Sequence, residues 1–175
     1  MRIGVFHSCD PVIEVPYEWC ERLKRHAFES DRKRARLCLH RDAHDRLHEM
    51  LVVFHRDTLI RPHRHREKSE SFHLVFGDLD ILLFDESGRA TRRISLGEPG
   101  SGKSGLYRLS TPVWHTVIVH SEYAGIHEVT NGPFQPEDGD YAPWSPASDA
   151  ELRNFLARSN ALLPSSVQPF EYTME

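Results

Sequence analysis

At 175 residues, with 39% hydrophobic and 27% charged side chains, the chain has the size and composition of one globular domain. A formal charge of −4 and a pI near 6.3 argue against a nucleic-acid or anionic-membrane partner. No apolar run approaches a membrane span, and the opening MRIGVFHSCDP lacks the apolar core of a signal peptide. Cys9, Cys20 and Cys38 lack CxxC spacing, so the expectation is a cytoplasmic protein with reduced thiols. Histidine is the outlier at 12 residues, and imidazole is the commonest metal ligand.

Pro16 to Glu29 suits a helix, with Trp19, Leu23 and Ala27 spaced for one face. From Arg32 the period changes to alternation, placing Arg32, Arg34, Arg36, Cys38 and His40 on one side of a strand. MLVVFH, ESFHLVFG, LDILLFD, ATRRISLG, GLYRLS, HTVIVHS and AGIHEVT follow as short segments broken by Gly, Pro, Asp and Ser. Asp85-Glu-Ser-Gly88 predicts a hairpin turn. This succession indicates an all-β sandwich or barrel. Ser148-Asp-Ala-Glu151 reads as a capping box opening the helix DAELRNFLARSNA, and LLPSSVQPFEYTME follows as a loosely held tail.

Gly97 to Ser104 (GEPGSGKS) matches the P-loop pattern letter for letter. That motif needs a helix after it, whose amides hold the phosphates. Here LYRLSTP alternates like a strand instead, so the segment reads as an inter-strand loop.

The metal-ligating candidates lie in RPHRHREKSESFHLVFG, residues 61–77. Side chains two apart on a strand share a face, so His63 and His65 can enter one cavity. A REKS hairpin would return the chain and start Glu70 on the next strand beside them. The same parity carries Phe72, Leu74 and Phe76 inward and turns His73 outward. His115, ahead of a Val117/Val119 inward face, offers a third imidazole. Three imidazoles and a carboxylate suit one divalent transition metal per chain: Fe, Zn, Ni, Mn or Co. His7, His26, His44, His48, His55, His120 and His127 read as surface or satisfied core residues, and His40 is ambiguous.

The spacing HxHx4Ex6G resembles the first motif of the cupin superfamily, with Asp57 standing where that motif begins with glycine. STPVWH resembles the second motif in outline: Pro112 replaces a glycine and Val119 an asparagine, while His115 keeps its place. Over residues 31–146 the chain is similar to WbuC-type cupin-fold metalloproteins of bacterial O-antigen gene clusters. The basic strand ending at His40, IRPHRHREKSESF and NGPFQPEDGDYAPWSP carry that likeness, with Cys38 where the family often has Asn.

The resemblance implies a cupin double-stranded β-helix, a jelly-roll barrel with an N-terminal helix and a C-terminal helix and tail. It divides one structural domain into 1–40 (helix and lead-in strand), 41–146 (barrel) and 147–175 (helix and tail). It implies a small polar or anionic ligand, such as a sugar or sugar nucleotide of surface-polysaccharide biosynthesis, in isomerase- or epimerase-type chemistry. An Fe(II)-dependent dioxygenase and a non-catalytic metal-dependent binding module are the alternatives. Arg34, Arg36, His40 and Lys68 are candidate substrate-binding residues, and Tyr107 and Glu128 candidate acid–base groups of undecided orientation. Edge strands needing cover predict a homodimer.

Overall fold

The computed structural model describes residues 4–8, 10–135 and 138–164. The tail expected from residue 162 therefore lies largely outside the described residues. The first elements are β1 (Val5–His7), α1 (Glu18–Glu29), β2 (Arg34–Cys38) and β3 (Leu47–His55). Then come β4 (His63–His65), β5 (Glu70–Phe76), β6 (Leu79–Phe84), β7 (Ala90–Leu96) and β8 (Leu106–Leu109). β9 (Trp114–Val119), β10 (Tyr123–Asn131), β11 (Gly139–Tyr141) and α2 (Asp149–Ala161) complete the order.

The strands form two sheets, of order β1-β2-β3-β10-β5-β8 and β11-β4-β9-β6-β7. Alternation decides what each face meets. Val52, Phe54, Phe72, Leu74, Leu79, Ile81, Val117 and Val119 point between the sheets and make the central core. On the outer face of the six-stranded sheet, Ala35, Leu37, Leu51 and Val53 pack under Cys20, Leu23 and Ala27 of α1. On the outer face of the five-stranded sheet, Leu82, Phe84 and Trp114 pack under Leu152 and Leu156 of α2. Each such fully buried leucine contributes roughly 1.5–3 kcal/mol. The result is a two-sheet jelly-roll barrel with a helix on each outer face.

α2 starts where its capping box predicts: the Ser148 hydroxyl accepts from the Glu151 amide and donates to the Glu151 carboxylate at 2.7 Å. Gly88, at φ 85°, closes the β6–β7 turn where a Cβ would meet the Trp144 ring. The P-loop-like segment is a loop between β7 and β8, and Lys103 pairs with Asp78 at 2.5 Å. No helix follows it to supply phosphate-binding amides.

Two expectations are corrected. β4 and β5 are not hairpin partners: the REKS connection crosses from the five-stranded to the six-stranded sheet. Phe76 leaves the inner face and packs on the α1 side, because the β5–β10 register shifts at Gly125/Ile126.

Candidate metal centre

His63 and His65 leave β4 on its inner face, and His63 stands directly across from His115 on β9. Glu70, the first residue of β5, reaches toward them from the facing sheet. Donor atoms of His63, His65 and His115 all lie within 4.8 Å of one another. Glu70 Oε1 is 3.1 Å from His115 Nε2, and Glu70 Oε2 is 3.4 Å from His65 Nε2. His115 and Glu70 are buried; His63 and His65 are half-buried and face the cavity.

The hydrogen bonds around this cluster fit a metal ion. Nδ1 of His63 donates to the Arg61 carbonyl at 3.0 Å, and Nδ1 of His115 to the Val113 carbonyl at 2.8 Å. Those donations leave the lone pair of each ring on Nε2, as outer-shell partners of metal-bound imidazoles do. His115 Nε2 and Glu70 Oε1, although close, are not aligned as a hydrogen bond, so both are buried polar atoms without a partner. Such atoms are costly unless something else occupies the space between them.

Electrostatics separate the members of the cluster. Burial, reinforced by the neighbouring His115, pushes the His63 imidazole down to about 3, so it is held neutral and ready to ligate. Burial opposes charge on Glu70, but the contacts with His115 and His65 outweigh it and hold the carboxyl well below the usual range. The same contact raises His115 against its own burial.

A cavity of about 630 Å³ opens on this centre. His63 and His65 line one end, and the substrate candidates Arg34, Arg36, His40 and Lys68 line its walls. Two of those four are engaged elsewhere. Lys68 is held by Asp138 at 2.7 Å and by the Pro133 carbonyl, and the His40 ring stacks on His48 at 4.0 Å. Cys38, with a free thiol, also lines the cavity.

The structure separates the two acid–base candidates. Glu128 shares the inward face of β10 with Ile126 and lines the cavity half-buried. Burial and the charge of Glu70 push its carboxyl up to about 7. Tyr107 lies in the central core, with its hydroxyl buried and unpartnered, and is not part of the cavity wall. Burial and Glu70 raise its pKa far above the phenol norm, so it stays protonated.

Sequence reasoning missed Asp80. Its carboxylate, on the outer face of β6, accepts from Ser95 Oγ at 2.6 Å and from His120 Nε2 at 2.7 Å. The available signal was one acid inside the apolar run LDILLFD.

Fold and site together define a two-sheet jelly-roll barrel with a three-histidine cluster able to hold a metal ion. A family described as Domain of unknown function (DUF6016) matches residues 16–96, which include His63, His65 and Glu70 but stop short of His115. No curated protein matches the chain. A solved protein from Shewanella oneidensis is 11% identical, with TM-score 0.50 over 68% of this chain and 73% of that one. A cupin superfamily protein from Desulfitobacterium hafniense is 13% identical, with TM-score 0.42 over 56% of this chain and 76% of that one. A dTDP sugar isomerase from Desulfovibrio desulfuricans is 19% identical, with TM-score 0.46 over 59% and 66% of the two chains. Among the described residues, no helix is long and apolar enough to cross a membrane.

Proposed function

We propose that His63, His65, Glu70 and His115 hold one divalent transition metal, and that the protein acts on a small polar or anionic metabolite bound in the adjoining cavity. The observation that carries this reading is the convergence of the three imidazoles, with His115 Nε2 and Glu70 Oε1 buried and unpartnered among them. When bound, the ion would act as a Lewis acid toward a substrate oxygen. Glu128 stands in the cavity wall with a carboxyl near the midpoint of its titration at neutral pH, which suits proton transfer to and from a substrate carbon. Arg34 and Arg36 attract and orient the anion.

Isomerase- or epimerase-type chemistry on a sugar or sugar nucleotide fits these parts, and the WbuC-like motifs support a cytoplasmic role in surface-polysaccharide biosynthesis. An Fe(II)-dependent dioxygenase is the alternative, favoured by the donor set itself, and a non-catalytic binding module is the second. Metal analysis of gently purified protein, followed by oxygen-uptake assays on the iron-loaded form, distinguishes them. Stoichiometric metal without oxygen consumption supports the isomerase reading, and steady uptake with a substrate present supports the dioxygenase. Absence of metal from protein purified without chelator, with none taken up on addition, overturns the proposal. We also propose a homodimer, and light scattering that gives a monomer mass at tens of micromolar contradicts it.

A further inference from the structure

The wall of the cavity away from the metal centre has an unusual charge arrangement. Arg34 and Arg36 stand at alternate positions of β2 along one edge of the cavity, on the side opposite α1, and Arg32 lines the same cavity from the turn that leads into the strand. Positions two apart on a strand are separated by roughly 6.5–7 Å, close enough for long forked side chains to meet on one ligand. Among the described residues the other cations of this cavity are engaged: Lys68 pairs with Asp138, and Arg61 with the Pro146 and Ala147 carbonyls. None of those pairs reaches Arg32, Arg34 or Arg36.

Arg34 is half-buried, and burial together with the charges of Arg32 and Arg36 pulls its pKa below the guanidinium norm. Five cations line this cavity, Arg32, Arg34, Arg36, Arg61 and Lys68, against three carboxylates, Glu128, Asp138 and Asp140, which leaves an excess of about two positive charges before any metal is counted. One monocarboxylate neutralises half of that excess, and a phosphoryl dianion neutralises nearly all of it. Guanidinium forks also match the oxygens of a phosphoryl group two at a time. A cavity of about 630 Å³ has room for that group and for a sugar-sized body reaching His63 and His65.

We infer that Arg32, Arg34 and Arg36 form a phosphoryl-binding subsite, so that the metabolite taken up by this cavity is a phosphorylated small molecule held by its phosphate at β2 with its uncharged part toward the histidine cluster. This deepens the functional reading above and rests on it for the placing of the uncharged part, while the anion subsite itself needs no metal. Lys68 and His40 are excluded from it by their own partners, Asp138 and His48.

Calorimetric titration of the full chain with inorganic phosphate, pyrophosphate and succinate, at constant ionic strength, tests the subsite on metal-free and metal-loaded protein. Metal-free protein matters here because pyrophosphate itself chelates metal. Pyrophosphate is expected to bind the metal-free protein, and more tightly than succinate. Arg34→Ala and Arg36→Ala are each expected to weaken it by at least about tenfold, since each removes hydrogen bonds to a charged group. Arg34→Lys, which keeps the charge and the packing stem, recovers part of the loss, and metal content is unchanged in all three variants. Pyrophosphate affinity equal in native and variant proteins overturns the inference, as does succinate binding as tightly as pyrophosphate. Phosphate binding by a protein that takes up no metal leaves the subsite standing and removes the metal-dependent function. Metal uptake without phosphate binding does the reverse.

Discussion

Two acid–histidine clusters sit on opposite faces of the five-stranded sheet, and they are built to opposite ends. On the outer face, Asp80 is satisfied: Ser95 and His120 donate to it at 2.6 and 2.7 Å, and Arg93 approaches at 4.0 Å beneath α2. On the inner face, His63, His65 and His115 meet Glu70 from the facing sheet, yet His115 Nε2 and Glu70 Oε1 have no aligned partner. A structural polar cluster spends its hydrogen-bonding capacity internally and tolerates partial exposure, as His120 does at 37%. A binding centre keeps lone pairs uncommitted in a buried place, which costs stability unless a ligand fills it. The same residue types therefore carry different meanings, decided by what their second atoms touch.

Breaking each cluster should give opposite phenotypes. The largest effect is expected from His115→Ala or His63→Ala: loss of more than about a hundredfold in metal affinity, read by metal analysis after dialysis, because each removes one of the proposed ligands. Asp80→Asn should leave metal content unchanged, and a loss of metal in that variant would erase the distinction. Asp80→Ala should instead lower unfolding free energy by about 1–3 kcal/mol in denaturant titrations, since Ser95 and His120 lose their acceptor.

A smaller effect concerns pH. The hydrogen bond that His120 donates to Asp80 raises the His120 pKa, so the contribution of charged His120 is complete below the unfolded imidazole value of about 6.5. It is lost as pH rises through the folded value. Burial works against charge on Asp80, but the bonds from His120 and Ser95 outweigh it and lower its pKa. Its contribution is present above the unfolded carboxyl value of about 3.9 and lost as pH falls through the folded one. The gap in denaturation midpoint between native metal-free protein and His120→Gln should therefore narrow from about pH 6 to about pH 8. The smallest effect is at the P-loop-like segment, where Lys103→Ala removes a partly exposed ion pair with Asp78. A change within about 1 kcal/mol is expected, with no thermal shift on adding ATP.

What could be read from the chain is what local periodicity encodes. Alternation marked the β-rich segments, the inward parity of His63 with His65, and the outward turn of His73, which is exposed. Fixed offsets marked the Ser148 cap and the turn at Gly88. The loop character of Gly97 to Ser104 was legible too, because a helix cannot start where the sequence alternates.

The rest depends on pairings between residues far apart, which no local pattern carries. A four-residue connection serves equally as a hairpin or as a crossing between sheets, and only the packed barrel decided that Glu70 would face His63 and His65 rather than lie beside them. The register shift at Gly125/Ile126 sent Phe76 to the other face, since a bulge changes parity without altering the composition around it. Glu128, Tyr107 and Lys68 were equally plausible as site residues from sequence alone. Tertiary packing put Glu128 in the cavity wall, buried Tyr107 in the core and tied Lys68 to Asp138, because burial and partner distance are properties of the closed barrel and not of its strands.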